Sequence, residues 1–351
     1  MNSAIETPQP AQKRFTRLKL AVVIMTLCGI GVFALLVYSI GFREIYESVV
    51  RFGLAGFAVI LSIYFVRICA RSYAWKLSVH DPYRLSMRDT IPGVVIGEAM
   101  SSTLPLGILI SGTSKAVAVR KQIPLVAGFS SVATENLFYS LVTGIYLIFG
   151  AVAMLRASAV NEAVVWTINA MIVTLIVLLS LGILMVVRQW HMASELCEII
   201  YRRGFFKKIL ENGRLQVRLF ENLIYGFYRH HPRRFVPICL LEAVYHALGV
   251  VEVLYILTRL SGETASLMTA FLLESISRLV TIVFKLIPFN IGVDEAGAQF
   301  VGNAIALATG VGVTLAIIRK GRILFWTAAG WALIAKRGLS FRELSQTNNK
   351  R

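Results

Sequence analysis

Residues 164–187 read VVWTINAMIVTLIVLLSLGILMVV, twenty-four in a row without a charge. A helix at a water-facing surface keeps a charged or polar stripe, and this run has none. The hydrocarbon core of a bilayer, about 30 Å thick, is crossed by roughly 20 mainly apolar residues in helical form. Lipid offers backbone N–H and C=O groups no other partner, so such a run must satisfy them within itself, as a helix. Residues 21–41, AVVIMTLCGIGVFALLVYSIG, repeat the pattern.

The composition generalises the reading. Hydrophobic residues make up 56% of the 351 and charged residues 16%, against roughly half and a quarter in ordinary soluble domains. Mean hydropathy is +0.69. The fold class is therefore all-α, a polytopic integral membrane helical bundle. The net charge of +17 would point to nucleic acid in a soluble protein. Here the basic residues gather between the apolar runs, as the positive-inside bias demands, and nucleic acid is not the expected partner. The four cysteines, Cys28, Cys69, Cys197 and Cys239, show no metal-ligand spacing and read as apolar packing residues. No metal and no cofactor are expected. Lys13, Arg14, Arg17 and Lys19 precede the first apolar run, which is too long for a signal peptide and predicts an uncleaved first membrane helix.

Spans are expected at about 20–41, 53–75, 125–154, 163–187, 235–258, 266–287, 297–317 and 321–337, eight crossings in all. The chain then divides into a cytoplasmic N-terminal tail at 1–19, a transmembrane domain at 20–337 and a polar tail at 338–351. Residues 90–112 are apolar but carry Pro92, Gly93, Gly97, Pro105, Gly107 and Gly112, with basic residues on both sides. They predict a re-entrant hairpin, which is tolerated only where protein or water covers it. The connection 188–234 holds ten basic residues against four acids and should be cytoplasmic. Phe206, Ile209, Gly213, Val217, Phe220, Ile224 and Phe227 recur there at three- and four-residue steps, which suits an amphipathic helix on the membrane surface or one packed on the bundle. The cluster Arg319-Lys320-Gly321-Arg322 falls outside in this scheme, against the charge bias. A second hairpin over 288–317 would bring it inside and put the C-terminus outside.

Ionisable residues within the apolar runs carry the functional information. They are Arg67, Arg71, Glu98, Glu135, Glu242, His246, Glu252, Glu274, Arg278, Lys285, Asp294 and Glu295. A charge at a helix centre costs about 2.5–3.5 kcal/mol to insert, so a dozen facing lipid would cost roughly 30 kcal/mol. They must pair, face a polar interior or snorkel. Glu274 and Arg278 are one turn apart and share a helix face, which Thr281 and Lys285 extend. Arg67 and Arg71 share a face with no acid near them in their own helix. They need Glu98, Glu135, Glu295 or an anionic ligand, although Arg71 is also placed to snorkel. Glu242 and His246 share a face too, with no further ligand to make a metal site. The segment from Leu286 to Glu295, with Pro288 and Gly292, breaks an apolar stretch. It reads either as a plain loop or as the broken helix that builds binding sites in transporters. Neither a nucleophile elbow nor a phosphate-binding glycine loop is present.

Pro288-x-x-x-Gly292-x-x-Glu295, followed by Gly310, Ala316, Arg322 and Gly330, resembles the end of the flippase-like membrane domain family, the transmembrane region of lysylphosphatidylglycerol synthases and its stand-alone relatives. Leu104-Pro105 with Gly107 and Gly112, then Lys115, is similar to that family's Pro/Gly-rich hairpin and following basic residue. Glu135 falls where the family places a Glu. The resemblance spans about 20–337. Asn136 stands where the family usually has Arg, and Leu106 with Ile108–Ile110 loosens the hairpin motif. The resemblance implies lipid translocation or handling in the bacterial cytoplasmic membrane. It implies no aminoacylation by this chain alone, since no soluble transferase domain follows.

The expected function is a non-enzymatic, transporter-like one. Anionic lipid headgroups enter a polar groove built from Arg67, Arg71, Glu98, Lys115, Glu135, Glu274, Arg278, Lys285, Pro288, Gly292 and Glu295. The rival is a membrane scaffold that serves a lipid-modifying or glycosyltransferase enzyme through 188–234. An intramembrane enzyme is a third reading, without a nucleophile or metal set to carry it.

Overall fold

A computed structural model describes residues 24, 27, 28, 30–104, 107–157, 161–202, 207–261, 265–284, 287–305, 307–308 and 310–337. The expected tails at 1–19 and 338–351 lie outside them. Among the described residues there are helices and no strands. They are α1 (Ile30–Ile40), α2 (Phe42–Leu77), α3 (Met87–Thr103), α4 (Gly107–Ala118), α5 (Leu125–Ala157), α6 (Glu162–Val187), α7 (Met192–Arg202), α8 (Lys207–His230), α9 (Phe235–Ser261), α10 (Leu267–Val283), α11 (Val293–Ala304) and α12 (Val311–Lys336). Two 3₁₀ turns, Pro232–Arg234 and Pro288–Asn290, introduce α9 and α11. Glycine marks the bends: Gly41 separates α1 from α2 at φ 101°, and Gly53 kinks α2 at φ 69°.

Four helices are long and apolar enough to cross a bilayer: α2, α5, α6 and α9, the last extended by its 3₁₀ turn. The 24-residue run that opened the sequence becomes α6, which buries no residue at all. Trp166 and Val187 are each 71% exposed. A helix apolar all round and unburied by protein is a helix bathed in lipid.

The rest of the bundle is two copies of one scheme. In the first, a long helix (α2) leads to a helical hairpin (α3, α4) and then to a second long helix (α5). In the second, α9 leads to α10, α11 and α12. The packing follows the same scheme. Helix α2 lies against α9; α3 lies against α12 as α10 lies against α5; α2 touches α12 as α9 touches α5. The register is 180 residues for the first hairpin arms and 186 for the second, since α4 starts at 107 and α11 at 293. Helix α3 at 87–103 maps onto α10 at 267–283. Gly150 of α5 admits Ser275 of α10, and Gly330 of α12 admits Val95 and Ala99 of α3. A Cβ at Gly150 would stand 2.5 Å from the Ser275 Cβ, and one at Gly330 2.4 Å from the Ala99 Cβ.

Three expectations are corrected. Residues 297–317 and 321–337 are not two spans: α11 stops at Ala304 and α12 runs unbroken from Val311 to Lys336. Arg319-Lys320-Gly321-Arg322 sits near the middle of α12, because each charge finds a partner there and the flanking residues stay helical and apolar. The 90–112 hairpin exists as α3 and α4, but Pro92, Gly93 and Gly97 do not interrupt it. Pro92 lies in the second turn of α3, and the two glycines make room for neighbours. A Cβ at Gly93 would meet the Trp75 ring at 2.7 Å, and one at Gly97 the Lys115 Cγ at 2.9 Å. The basic connection folds as α7 and α8, which pack on each other, with α8 also against α5. Ile224 and Phe227 are buried, and Phe227, Tyr228 and Phe235 gather around Phe138 of α5. That end of α8 is packed on the bundle.

Candidate functional site

Where α2, α9, α10 and α12 meet, four guanidinium groups share two carboxylates. Arg67 on α2 donates to Glu252 on α9 (3.0 Å) and to Glu274 on α10 (3.4 Å). Glu274 also accepts from Arg278 one turn on (2.8 Å) and from Arg319 on α12 (2.5 Å). Glu252 accepts from Arg322 (2.8 Å) and lies 3.7 Å from Arg319 Nε. Both carboxylates are fully buried, as is Arg67. The assembly needs Gly249: a Cβ there would stand 2.4 Å from Glu274 Oε1 and 3.1 Å from Arg67 Nη2. Aromatic faces complete the cage. The Arg322 guanidinium lies 3.9 Å from the Tyr64 ring centre and that of Arg67 4.4 Å from the Tyr245 ring centre, a geometry that stabilises a partly desolvated cation. Tyr64 in turn donates to Glu98 (2.9 Å). Four guanidinium groups thus stand against Glu252, Glu274 and, through Tyr64, Glu98, while Asp294 of α11 bears electrostatically on Arg319 and Arg278.

A second cluster joins α2, α4 and α5. Glu135 accepts from Arg71 Nε (2.8 Å) on one oxygen and from Lys115 Nζ (3.0 Å) on the other. Asn136, where the resemblance led one to look for Arg, is the 3.5 Å partner of Arg71 Nη2. The third cluster is the broken segment ahead of α11. Glu295 accepts from the Gly292 N–H (2.8 Å) and pairs with Lys320 (2.7 Å), whose Nζ also donates to the Asn290 carbonyl (3.3 Å). Phe289 and Asn290 are held at φ 55° and 48°, and Gly292 at 82°. The first two are left-handed residues with a side chain, a strained arrangement that this web of hydrogen bonds enforces.

The expected residues thus fall into three bonded groups, the first two meeting at the Tyr245 ring, which lies 4.4 Å from the Arg67 guanidinium, 5.7 Å from that of Arg71 and 5.4 Å from that of Arg278. Arg67, Glu274 and Arg278, with Glu98 reached through Tyr64, belong to the central cluster. Arg71, Lys115 and Glu135 form the second, and Pro288, Gly292 and Glu295 the third. Lys285 lies outside the described residues. Reading spans from hydropathy missed Arg319 and Arg322, although their three-residue spacing is helical and apolar residues flank them on both sides. Glu252 stood among the intramembrane charges without an assigned partner. Arg67 pairs with it and with Glu274, not with Glu98, Glu135 or Glu295.

Along the outer seam of α2 and α9 runs an apolar groove lined by Ala58, Val59, Ser62, Ile63, Val66 and Leu248. Val66 adjoins Arg67 in sequence, and Leu248 adjoins Gly249. A surface fit for hydrocarbon therefore runs beside a cluster fit for an anion.

The sequence pattern of the lysylphosphatidylglycerol synthase TM region matches residues 18–330. The chain belongs to that family. The match covers both halves of the bundle and all three clusters, so the ion network lies within the family's domain. Family membership brings with it a lipid-related role in a membrane. Neither the curated proteins nor the solved structures give a match.

At the cytoplasm-facing edge expected from the basic connections, His80 meets His230 and His231. His231 lies 3.5 Å from Asp81, which also pairs with Arg234 (3.2 Å). Burial, and then neighbouring cations, hold the His80 and His231 imidazoles below their ordinary range, while Asp81 pulls the other way.

Proposed function

We propose that this chain translocates anionic lipids across the bacterial cytoplasmic membrane, without covalent chemistry, by seating the headgroup in the central cluster. The observation that carries the reading is the gathering of four guanidinium groups, Arg67, Arg278, Arg319 and Arg322, on the two carboxylates Glu252 and Glu274. Guanidinium groups bind phosphate in the forked geometry they use for carboxylate. Glu252 and Glu274 occupy the anion positions here, and a headgroup must displace them. The α2–α9 groove gives the acyl chains a path beside it.

The topology that fits has six crossings: α1, α2, α5, α6, α9 and α12. The hairpins α3–α4 and α10–α11 then enter from opposite faces. The basic connections at 76–88, 115–121, 188–234 and 336–337 all fall on one side, the cytoplasmic side, together with the N-terminus. The halves run through the membrane in opposite senses, the inverted arrangement that lets a site open to either face by rocking one half on the other. Movement requires that the headgroup bind the two states differently.

The test is translocation of headgroup-labelled lipids in liposomes holding the purified chain. Movement of an anionic lipid that Arg278→Gln abolishes, with thermal unfolding of the variant unchanged, supports the proposal. Folded protein that moves no lipid turns attention to the scaffold reading, in which α7 and α8 recruit an enzyme.

A further inference from the structure

Glu242, on α9, is fully buried and neither of its carboxylate oxygens has a hydrogen-bond partner. It lies outside the two carboxylate-centred webs described above. Four neighbours bear on it electrostatically: Arg71 of α2, Lys115 of α4, and Glu135 and Tyr139 of α5. On its own helix Cys239 lies one turn before it. His246, one turn after, is committed to Thr143 (2.9 Å) and stacked against Tyr146. Arg71 Nε and Lys115 both point their protons at Glu135, so Glu242 receives none.

A buried carboxylate without a donor cannot stay charged cheaply, since removing an ion from water must be repaid by hydrogen bonds or a close counter-ion. A carboxylic acid in the same place avoids that cost. With Glu242 neutral, Arg71 and Lys115 face the single charge of Glu135 and one positive charge is left over. With Glu242 ionised the four groups balance, and nothing remains for an anion. Proton and anion therefore favour each other at this cluster. We infer that Glu242 is a proton-binding site whose occupancy is linked to that of an anionic lipid headgroup at Arg71 and Lys115, so that the two are taken up together. This rests on the lipid reading above, adds to the central seat a second one at Arg71, one turn along α2 from Arg67, and names the coupling ion. The step breaks no covalent bond apart from the O–H: a proton enters from water as the headgroup binds and leaves to water as it is released. Linkage of this kind is reciprocal.

The test uses the whole chain in detergent with phosphatidylglycerol or phosphatidylcholine as probe, read by infrared spectroscopy and by lipid binding across pH. A carboxylic-acid C=O band that Glu242→Gln removes is expected, and its loss on raising the pH should shift upward when phosphatidylglycerol, but not phosphatidylcholine, is present. Glu135→Gln frees Arg71 and Lys115 for Glu242 and should abolish the same band, which keeps the test alive if Glu242→Gln does not fold. Above the transition the affinity of the unsubstituted chain for phosphatidylglycerol should fall by up to about tenfold per pH unit, and that of Glu242→Gln should stay flat. A band that survives both substitutions, or equal pH slopes in the unsubstituted chain and Glu242→Gln, overturns the inference. Vesicles without lipid movement, alongside the expected bands and slopes, would instead remove the translocation reading and leave the proton site standing.

Discussion

The two halves of the bundle share a backbone plan and differ in the sign of their charges. At the 180-residue register Glu98 of α3 corresponds to Arg278 of α10, while the second arms carry Lys115 (α4) and Glu295 (α11). Partners follow suit. Lys115 reaches forward to Glu135 on α5, while Glu295 pairs with Lys320 on α12. Glu98 takes the hydroxyl of Tyr64, while Arg278 lies over the ring of Tyr245. The hairpins thus present opposite charge to one shared interior. Geometry was kept where helices touch, at Gly150 and Gly330, and polarity was exchanged where a ligand would be held.

Removing a carboxylate should hurt most, and in both halves. Glu274→Ala leaves Arg67, Arg278 and Arg319 uncompensated, and thermal or denaturant unfolding in detergent should show a loss of about 3–5 kcal/mol. Glu135→Ala, stripping Arg71 and Lys115, should cost a comparable amount. A far smaller loss in one half would show that its cluster is wet. Next come the paired glycines. Gly150→Ala and Gly330→Ala should each cost about 1–3 kcal/mol by overpacking, Gly330→Ala the more, because a Cβ there also meets the Val95 carbonyl oxygen at 2.8 Å. If only one glycine matters, the register is not a structural repeat. Exchanging Glu295 and Lys320 in a double variant should recover most of what each single change loses, with a coupling of about 0.5–3 kcal/mol in a mutant cycle. That exchange gives the second half the charge order of the first. The smallest effect belongs to the histidines. His80 and His231 favour the neutral form in the folded chain, so their contribution is present above about pH 6.5 and is lost as the pH falls through that value. Amide protection at the α8–α9 junction, corrected for the intrinsic pH dependence of exchange, should fall on acidification, and less so in His80→Gln.

Much of the architecture was legible in sequence because hydropathy reports directly on lipid contact. The uncharged run at 164–187 became α6, and the one-turn spacing of Glu274 and Arg278 became a 2.8 Å pair. Glu135, one of the three acids open to Arg71, is its partner. The breaks at 92–112 and 288–295, in opposite halves of the chain, hinted at a repeat, but residue by residue it was not legible, and its chemistry explains why. Glu98 falls opposite Arg278, and Arg67, Arg71 and Glu135 fall opposite Ala247, Val251 and Leu315, so comparing residue identities finds mismatch where the fold finds equivalence. Arg319 and Arg322 were misplaced for a related reason. Hydropathy counts a charge as a reason to leave the membrane, whereas a charge with a partner on the next helix has a reason to stay.

The gathering of guanidinium in the central cluster has an electrical consequence. Moving one elementary charge across a membrane potential of 100 mV is worth about 2.3 kcal/mol. Positive charge near the middle of α12 is pulled inward by a potential negative on the cytoplasmic side. An anionic headgroup adds one negative charge and the proton taken up with it at Glu242 adds one positive, so loading leaves the net charge unchanged. Voltage should therefore act alike on the loaded and the empty steps, and a full cycle should carry no net current.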